Sequence, residues 1–435
     1  MDLAELFSRH VERLQAETGK NLATTGFDSL VLGSGTPFTY FADDEDAPFR
    51  PNAHFAHWCP LGGPHHLLHV VPGKRPRLVR YAPADYWYEQ GGLTEDFWLD
   101  AFDLEPAGSL EEAWRALGRP ARAAYVGDET ERATAAGLAT NPAALLSRLD
   151  WVRSYKDEYE VRCLEEATAL GARGHQAARE AFAQGATELE IHQAFLEAVG
   201  ATEAELPYTT IVALDEKAAT LHYQRKRMQT GEHVLLLDAG AACRRYACDI
   251  TRTTPVAGGD TRFAALVGRM DELERELASN ARPGRRYLDV HVEAHRGVAR
   301  ILCGLGLLRV GAEEAFDEGL THPFLPHGVG HMLGIQVHDV AGRQADATGT
   351  PAPPPPQYPF LRNTRTIEAG QVFTIEPGLY FIPMLLDPFR GGKHAAAFDW
   401  KTIDALVPCG GVRVEDNVLV TASGPRNLTR ERLPD

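Results

Sequence analysis

At 435 residues the chain is longer than one hydrophobic core usually serves, so two domains are expected. Hydrophobic residues at 44% and charged residues at 24% are ordinary usage for a soluble globular protein, and no apolar run is long enough to cross a bilayer. A net charge of -16, from 44 basic against 60 acidic residues, opposes a phosphate backbone or an anionic membrane, which argues against nucleic acid and membrane as partners.

The opening residues 1–15 place Leu3, Phe7, Val11 and Leu14 on one helical stripe, with Glu5, Arg9, Glu12 and Arg13 between them. A secretory signal would carry an unbroken apolar core there. Six scattered cysteines show no paired ligand spacing, so a cytoplasmic protein with reduced thiols is expected. Short apolar runs at 29–32, 78–81 and 123–126 read as strands, and 129–138 reads as a helix, giving an α/β N-terminal domain. Ser154 and Asp157 have capping spacing ahead of a long amphipathic helix from 156 towards 182. The boundary is therefore expected at 155, with domains 1–155 and 156–435.

Thr187 and Glu190 form a second capping box, and helical patterns follow at 260–280 and 287–304. Residues 234–237, ending in Asp238, read as a strand buried on both faces, and 372–375 and 412–420 also read as strands. Helices over one face of a curved antiparallel sheet, an α+β domain, is the economical arrangement. Residues 351–356, proline except for Ala352, form a polyproline loop that is either a spacer or a wall of a pocket.

The chemistry lies in this second part. Asp238, Asp249, His331, Glu376 and Glu415 are four carboxylates and one imidazole, the donor set of a pair of hard or borderline divalent cations. A turn near Cys243 and Arg244 would set Asp238 and Asp249 opposite each other on a hairpin. Strand periodicity puts Arg413 beside Glu415 and Thr374 beside Glu376. His327 and His331 are four apart, but Gly328 and Gly330 between them, and no glutamate after His327, argue for a glycine-rich loop rather than a helical zinc motif. His338 could donate to a developing oxyanion. A second cluster, His54, His57, His65, His66 and His69, has no interleaved carboxylate, and its bland reading as surface and core histidines is preferred.

The runs Leu237-Asp238-Ala239-Gly240, Asp249-Ile250-Thr251-Arg252, Pro326-His327-Gly328-Val329-Gly330-His331, Val337-His338-Asp339, Thr374-Ile375-Glu376-Pro377-Gly378 and Arg413-Val414-Glu415-Asp416, in this order, resemble the proline-specific M24 metallopeptidases. Within them the chain is most similar to the bacterial Xaa-Pro dipeptidases, or prolidases. The resemblance implies a creatinase-like N-terminal domain and a pita-bread C-terminal domain. It also implies two divalent ions per subunit, manganese first, with cobalt, zinc or iron(II) as alternatives. Asp238 would serve one ion, His331 and Glu376 the other, and Asp249 and Glu415 both. Hydrolysis of Xaa-Pro dipeptides by a hydroxide shared between the ions follows, since two cations acidify a water and polarise the carbonyl.

The same resemblance makes Glu376 the proton shuttle and His222, His327 and His338 the groups that steady substrate and oxyanion. Arg365 would clamp the proline carboxylate, with Arg413 beside the metals and Tyr208 in the pocket. Asp43 and Trp87 would reach the pocket of a neighbouring subunit in a homodimer. Departures from the family pattern are Thr209-Thr210 after Tyr208 and Asp215 in place of Asn. The resemblance also implies organophosphate triesters as a side substrate by the same chemistry. The alternatives are an aminopeptidase P acting on longer Xaa-Pro peptides, and a pita-bread binding module without catalysis.

Overall fold

The computed structural model describes residues 1–87, 93 and 96–433. It divides into two compact units, Met1–Val161 with the short loop Ala345–Thr350, and Arg162–Gln344 with Pro351–Asp435. The division falls within a helix, a little beyond the expected position 155. Ser154 does not start that helix but ends the preceding one. Asp157 is the cap: its Oδ1 accepts from the Glu160 N–H at 3.1 Å, while Glu160 Oε2 accepts from the Asp157 N–H at 3.0 Å.

In the N-terminal unit, helix α1 (Leu3–Thr25) precedes β1 (Ser29–Gly33), α2 (Ala53–Trp58), β2 (Leu67–Val70), β3 (Arg77–Tyr81) and β4 (Asp103–Ala107). Then come α3 (Leu110–Leu117), β5 (Ala123–Val126), α4 (Thr130–Ala135), β6 (Ala139–Thr140) and α5 (Ala143–Arg153). The six strands form one mixed sheet in the order β4-β3-β2-β1-β5-β6. Central strands β1 and β5 are buried at every position, which is why they read as unbroken apolar runs.

Helix α6 (Glu158–Ala183) leads into α7 (Glu188–Val199), whose Thr187–Glu190 capping box is formed on both sides. Strand β8 (Val234–Asp238) lies between β7 (Ile211–Leu214) and β11 (Thr251–Pro255), antiparallel to both. The hairpin β9 (Ala242–Cys243) and β10 (Tyr246–Ala247) turns on Arg244 and Arg245, with φ 49° and 76°. Both central residues of such a tight turn need left-handed backbone. The register nevertheless differs from the expected one. Asp238 faces Thr251, and Asp249 lies two residues before that partner.

Helices α8 (Thr261–Asn280), α9 (Tyr287–Gly304) and α10 (Ala312–Asp317) come next. They are followed by β12 (Val372–Ile375), β13 (Gly378–Tyr380), α11 (Pro383–Arg390), α12 (Trp400–Leu406), β14 (Gly411–Arg413), β15 (Asp416–Thr421) and β16 (Gly424–Asn427). The segment 412–420 is thus two strands, not one: β14 pairs with β13, β15 with β12 and β16, and Glu415 at the break bridges to Thr251. Phe263, Leu266 and Met270 of α8, Val290, Ala294 and Val298 of α9, and Phe373, Ile375 and Val418 of the strands share one core. Among the described residues no helix is long and apolar enough to cross a membrane.

Candidate metal centre

Five segments deliver side chains to one cavity of about 850 Å³. Asp238 comes from the end of β8, Asp249 from the approach to β11, and His331 from the glycine loop. Glu376 follows β12, and Glu415 sits in the break between β14 and β15. Asp249, His331 and Glu415 are buried and present ligand atoms within 4.8 Å of one another. From His331 Nε2, Asp249 Oδ2 is 3.4 Å away, and Glu376 Oε1 and Glu415 Oε1 are each 3.8 Å away.

His331 Nδ1 lies 3.0 Å from the Met332 carbonyl, which can only accept, so this nitrogen carries the proton and Nε2 turns a lone pair towards the carboxylates. A lone pair and three carboxylates facing one another repel unless a cation stands among them. Among the described residues Asp238 Oδ1 is buried without a partner, while its Oδ2 accepts from Arg413 Nη2 at 2.6 Å. Burial pushes the Asp249 carboxyl up to about 8, with Asp238 adding to it. Burial first and neighbouring carboxylates second also hold Glu376 and Glu415 well above the usual range. The donor set and the orphaned oxygen both fit divalent cations.

Around these groups runs a hydrogen-bonded frame. Tyr208 OH donates to Asp249 Oδ1 at 2.5 Å, and Thr251 Oγ1 donates to Glu415 Oε2 at 2.7 Å. Arg413 Nε reaches Thr251 Oγ1 at 3.2 Å, and its Nη1 reaches Tyr380 OH at 2.9 Å. Tyr380 OH in turn lies 2.9 Å from His327 Nε2, whose Nδ1 lies 2.8 Å from the Gly328 carbonyl. Both nitrogens of His327 are therefore engaged. His222 and His338 line the cavity, and neither has a hydrogen-bonding partner among the described residues. Thr374 does stand beside the centre as expected, accepting the His331 N–H on Oγ1 at 3.2 Å.

Gly330 has φ 150°, and a Cβ there would come within 2.1 Å of both the Thr374 carbonyl and the Tyr287 hydroxyl. That hydroxyl bonds the carbonyls of Thr374 at 2.6 Å and Val329 at 3.2 Å, tying the His331 loop to β12. At Gly240 a Cβ would meet the Cys248 carbonyl at 2.1 Å, so the turn after Asp238 closes only without a side chain.

Arg365 is a correction. It is 4% exposed, pairs with Glu368 at 3.1 Å and is not among the residues lining the cavity. Arg343 and Arg362, which the motif reading missed, do line it. Asp43 and Trp87 lie on the surface of the N-terminal unit, where Asp43 Oδ1 accepts the Asp44 N–H and Trp87 is 76% exposed. Asp215 has φ 58° and accepts the N–H groups of His233 and Val234, capping β8 instead of shaping a pocket. Thr210 is buried against His192 Nδ1. Pro356 lines a neighbouring cavity and no other residue of 351–356 lines either cavity, so the proline run is a connector over most of its length.

Residues 162–422 match the model of Metallopeptidase family M24, and residues 5–151 match that of the Xaa-Pro dipeptidase N-terminal domain. The chain belongs to the M24 metallopeptidases. An Xaa-Pro dipeptidase of Marinobacter nauticus is 43% identical, with 99% of each chain covered, and one of Aeromonas hydrophila is 41% identical, with 98% of each covered. Among solved structures, proline aminopeptidase P II from Yersinia pestis superposes with a TM-score of 0.75 at 23% identity, covering 100% of this chain and 98% of the other. The M24 unit is accordingly the pita-bread fold, preceded by an α/β domain of the prolidase type.

The M24 centre also has a rear wall. Arg252 donates from Nη1 to the carbonyls of Thr251 and Glu415, each at 2.9 Å, and from Nη2 to Asp416 Oδ1 at 2.7 Å. Asp416 Oδ2 accepts from Arg430 Nε at 2.6 Å and Asn427 Nδ2 at 2.7 Å, and Arg430 Nη2 reaches Glu274 Oε2 at 3.1 Å. This network holds the two segments that carry Asp249 and Glu415 in register.

Proposed function

We propose that this M24 peptidase hydrolyses Xaa-Pro dipeptides and releases proline. Asp238, Asp249, His331, Glu376 and Glu415 would hold two divalent ions, with manganese the first candidate and cobalt, zinc or iron(II) the others. The observation that carries the reading is the convergence of four carboxylates and His331 on one cavity where, among the described residues, Arg413 is the one guanidinium bonded to them, a deficit that a pair of dications would fill. When bound, such ions supply Lewis-acid polarisation of the scissile carbonyl and an acidified water as nucleophile.

The chain's own groups do the rest. Glu376, 3.8 Å from His331 and, among the described residues, without an arginine bonded to it, takes a proton and returns it to the departing proline nitrogen, which leaves poorly unless protonated. His222 and His338 offer ring N–H groups to the substrate and its oxyanion. Arg413 braces Asp238, and Tyr380 passes that brace on to His327. Arg362 and Arg343 replace Arg365 as the clamp for a free carboxylate, a role that suits guanidinium geometry. Apolar Phe360, Met384 and Leu385 line the same cavity and would receive an uncharged Xaa side chain.

In the N-terminal unit Phe38, Phe41, Tyr86 and Trp87 are strongly exposed, which supports a homodimer in which a second copy covers them and Asp43 enters its pocket. A cytoplasmic location and slow attack on organophosphate triesters belong to the same reading. The experiment is metal analysis of gently purified protein, followed by assays on Gly-Pro, Leu-Pro and a proline-containing tripeptide. Dipeptide cleavage with little tripeptide cleavage is expected. Release of the tripeptide's first residue at a matching rate would make the protein an aminopeptidase P, and inactivity with ions bound would make it a binding module.

A further inference from the structure

The N-terminal unit holds a second convergence of ligand atoms. His10 on α1, His57 on α2 and Glu160 in the first turn of α6 are buried, and one ligand atom from each lies within 4.8 Å of the others. His57 Nε2 stands 3.2 Å from Glu160 Oε1, yet it is a buried atom without a hydrogen-bonding partner among the described residues. Atoms that approach so closely without pointing at one another are spaced as two ligands of one ion are. Donors roughly 2.0–2.1 Å from a tetrahedral centre stand about 3.3 Å apart.

His10 is oriented for the same purpose. Its Nε2 lies 2.7 Å from the His57 carbonyl, which can only accept, and its Nδ1 faces Asp157 Oδ2 at 2.7 Å. Donation of one ring N–H to a carbonyl is how metal-ligating histidines are held in tautomer and angle. Arg13 grips the carboxylates from outside, with Nη2 2.7 Å from Glu160 Oε2 and Nε 2.9 Å from Asp157 Oδ2.

We propose that this cluster is a structural transition-metal site of the zinc class, ligated by His10 Nδ1, His57 Nε2 and Glu160 Oε1, with Asp157 beside His10 as a second countercharge. The entering ion replaces the proton on His10 Nδ1, which leaves to solvent past the partly exposed Asp157 and Arg13. Two carboxylates offset the double charge of the ion. Arg13, paired with both carboxylates, and Arg153 stand beside the cluster. Those same arginines oppose any cation, so only ions with strong affinity for imidazole are retained. Zinc, nickel and copper qualify, and manganese does not. The chain would then sort metals by ligand type, manganese-class ions to the carboxylate-rich centre and a zinc-class ion here.

The test uses the full chain loaded with Mn2+, equilibrated with Zn2+, desalted and crystallised. Anomalous difference maps at the zinc edge should show a peak among His10, His57 and Glu160, and elemental analysis should show one more zinc per chain in the parent than in His57→Gln. Zinc should raise the melting temperature of the parent and leave that of His57→Gln unmoved, with Gly-Pro hydrolysis at saturating Mn2+ equal in both. A zinc map empty at this position, or equal zinc content in parent and variant, overturns the proposal. Should the variant fail to fold, the parent's map decides alone.

Discussion

Glu415 and Asp416 follow one another along the chain and are both buried, but their carboxylates turn into opposite surroundings. Asp416 meets Arg252 and Arg430, which outweigh burial and hold it far below the usual carboxylate range. Glu415 is raised by burial and then by Asp249 and Asp238, against the single guanidinium of Arg413. Burial is common to both, so burial does not mark the functional carboxylate. A shortage of countercharge does, because a fold retains uncompensated buried charge only where something else completes it.

Glu415→Gln should lower dipeptide hydrolysis well beyond the roughly hundredfold typical of losing an outer partner of a metal ligand. In the same variant, chelator-treated protein should melt higher than the chelator-treated parent, because one like charge is gone. A lower melting temperature would break the contrast drawn between the two residues. Asp416→Asn should act in the other sense, leaving Arg252 and Arg430 uncompensated and costing about 3–5 kcal/mol in denaturant unfolding with metal absent.

Arg362→Ala tests the reassigned clamp. Charge-assisted hydrogen bonds contribute about 1.5–3 kcal/mol, so KM for dipeptides should rise roughly tenfold to a hundredfold while kcat changes little. Dipeptide amides should be indifferent to the change. Arg365→Ala should not reproduce this selectivity, and if it does, the clamp lies where the motif placed it.

The mildest test is pH. The folded-state pKa of Asp249, about 8, is raised above its ordinary value of 3.8, so its stabilising contribution in metal-free protein is complete below the lower value and is lost as pH rises through about 8. Melting temperatures of chelated protein should therefore fall over that window, and saturating metal should flatten the slope.

Much of this was legible in the chain because it is local. The strands at 123–126, 234–238 and 372–375 declare themselves as unbroken apolar runs, and the Thr187–Glu190 cap as a four-residue motif. What escaped is non-local. The break at Glu415 exists because Thr251 bridges to it from 164 residues away. Tyr380 joins the site through Arg413 and His327. The N-terminal histidines looked unpartnered because their carboxylates lie far along the chain, Asp150 for His54, Glu160 for His57 and Glu129 for His65.

Gly330 carries a consequence for how the centre tolerates motion. With the Tyr287 hydroxyl and the Thr374 carbonyl already where a Cβ would sit, no side chain can wedge the loop from the strand, and His331 and Glu376 are constrained to drift as one body. Thermal fluctuation would then change the aim of the pair towards Asp238 and Asp249 while leaving the separation within the pair steady.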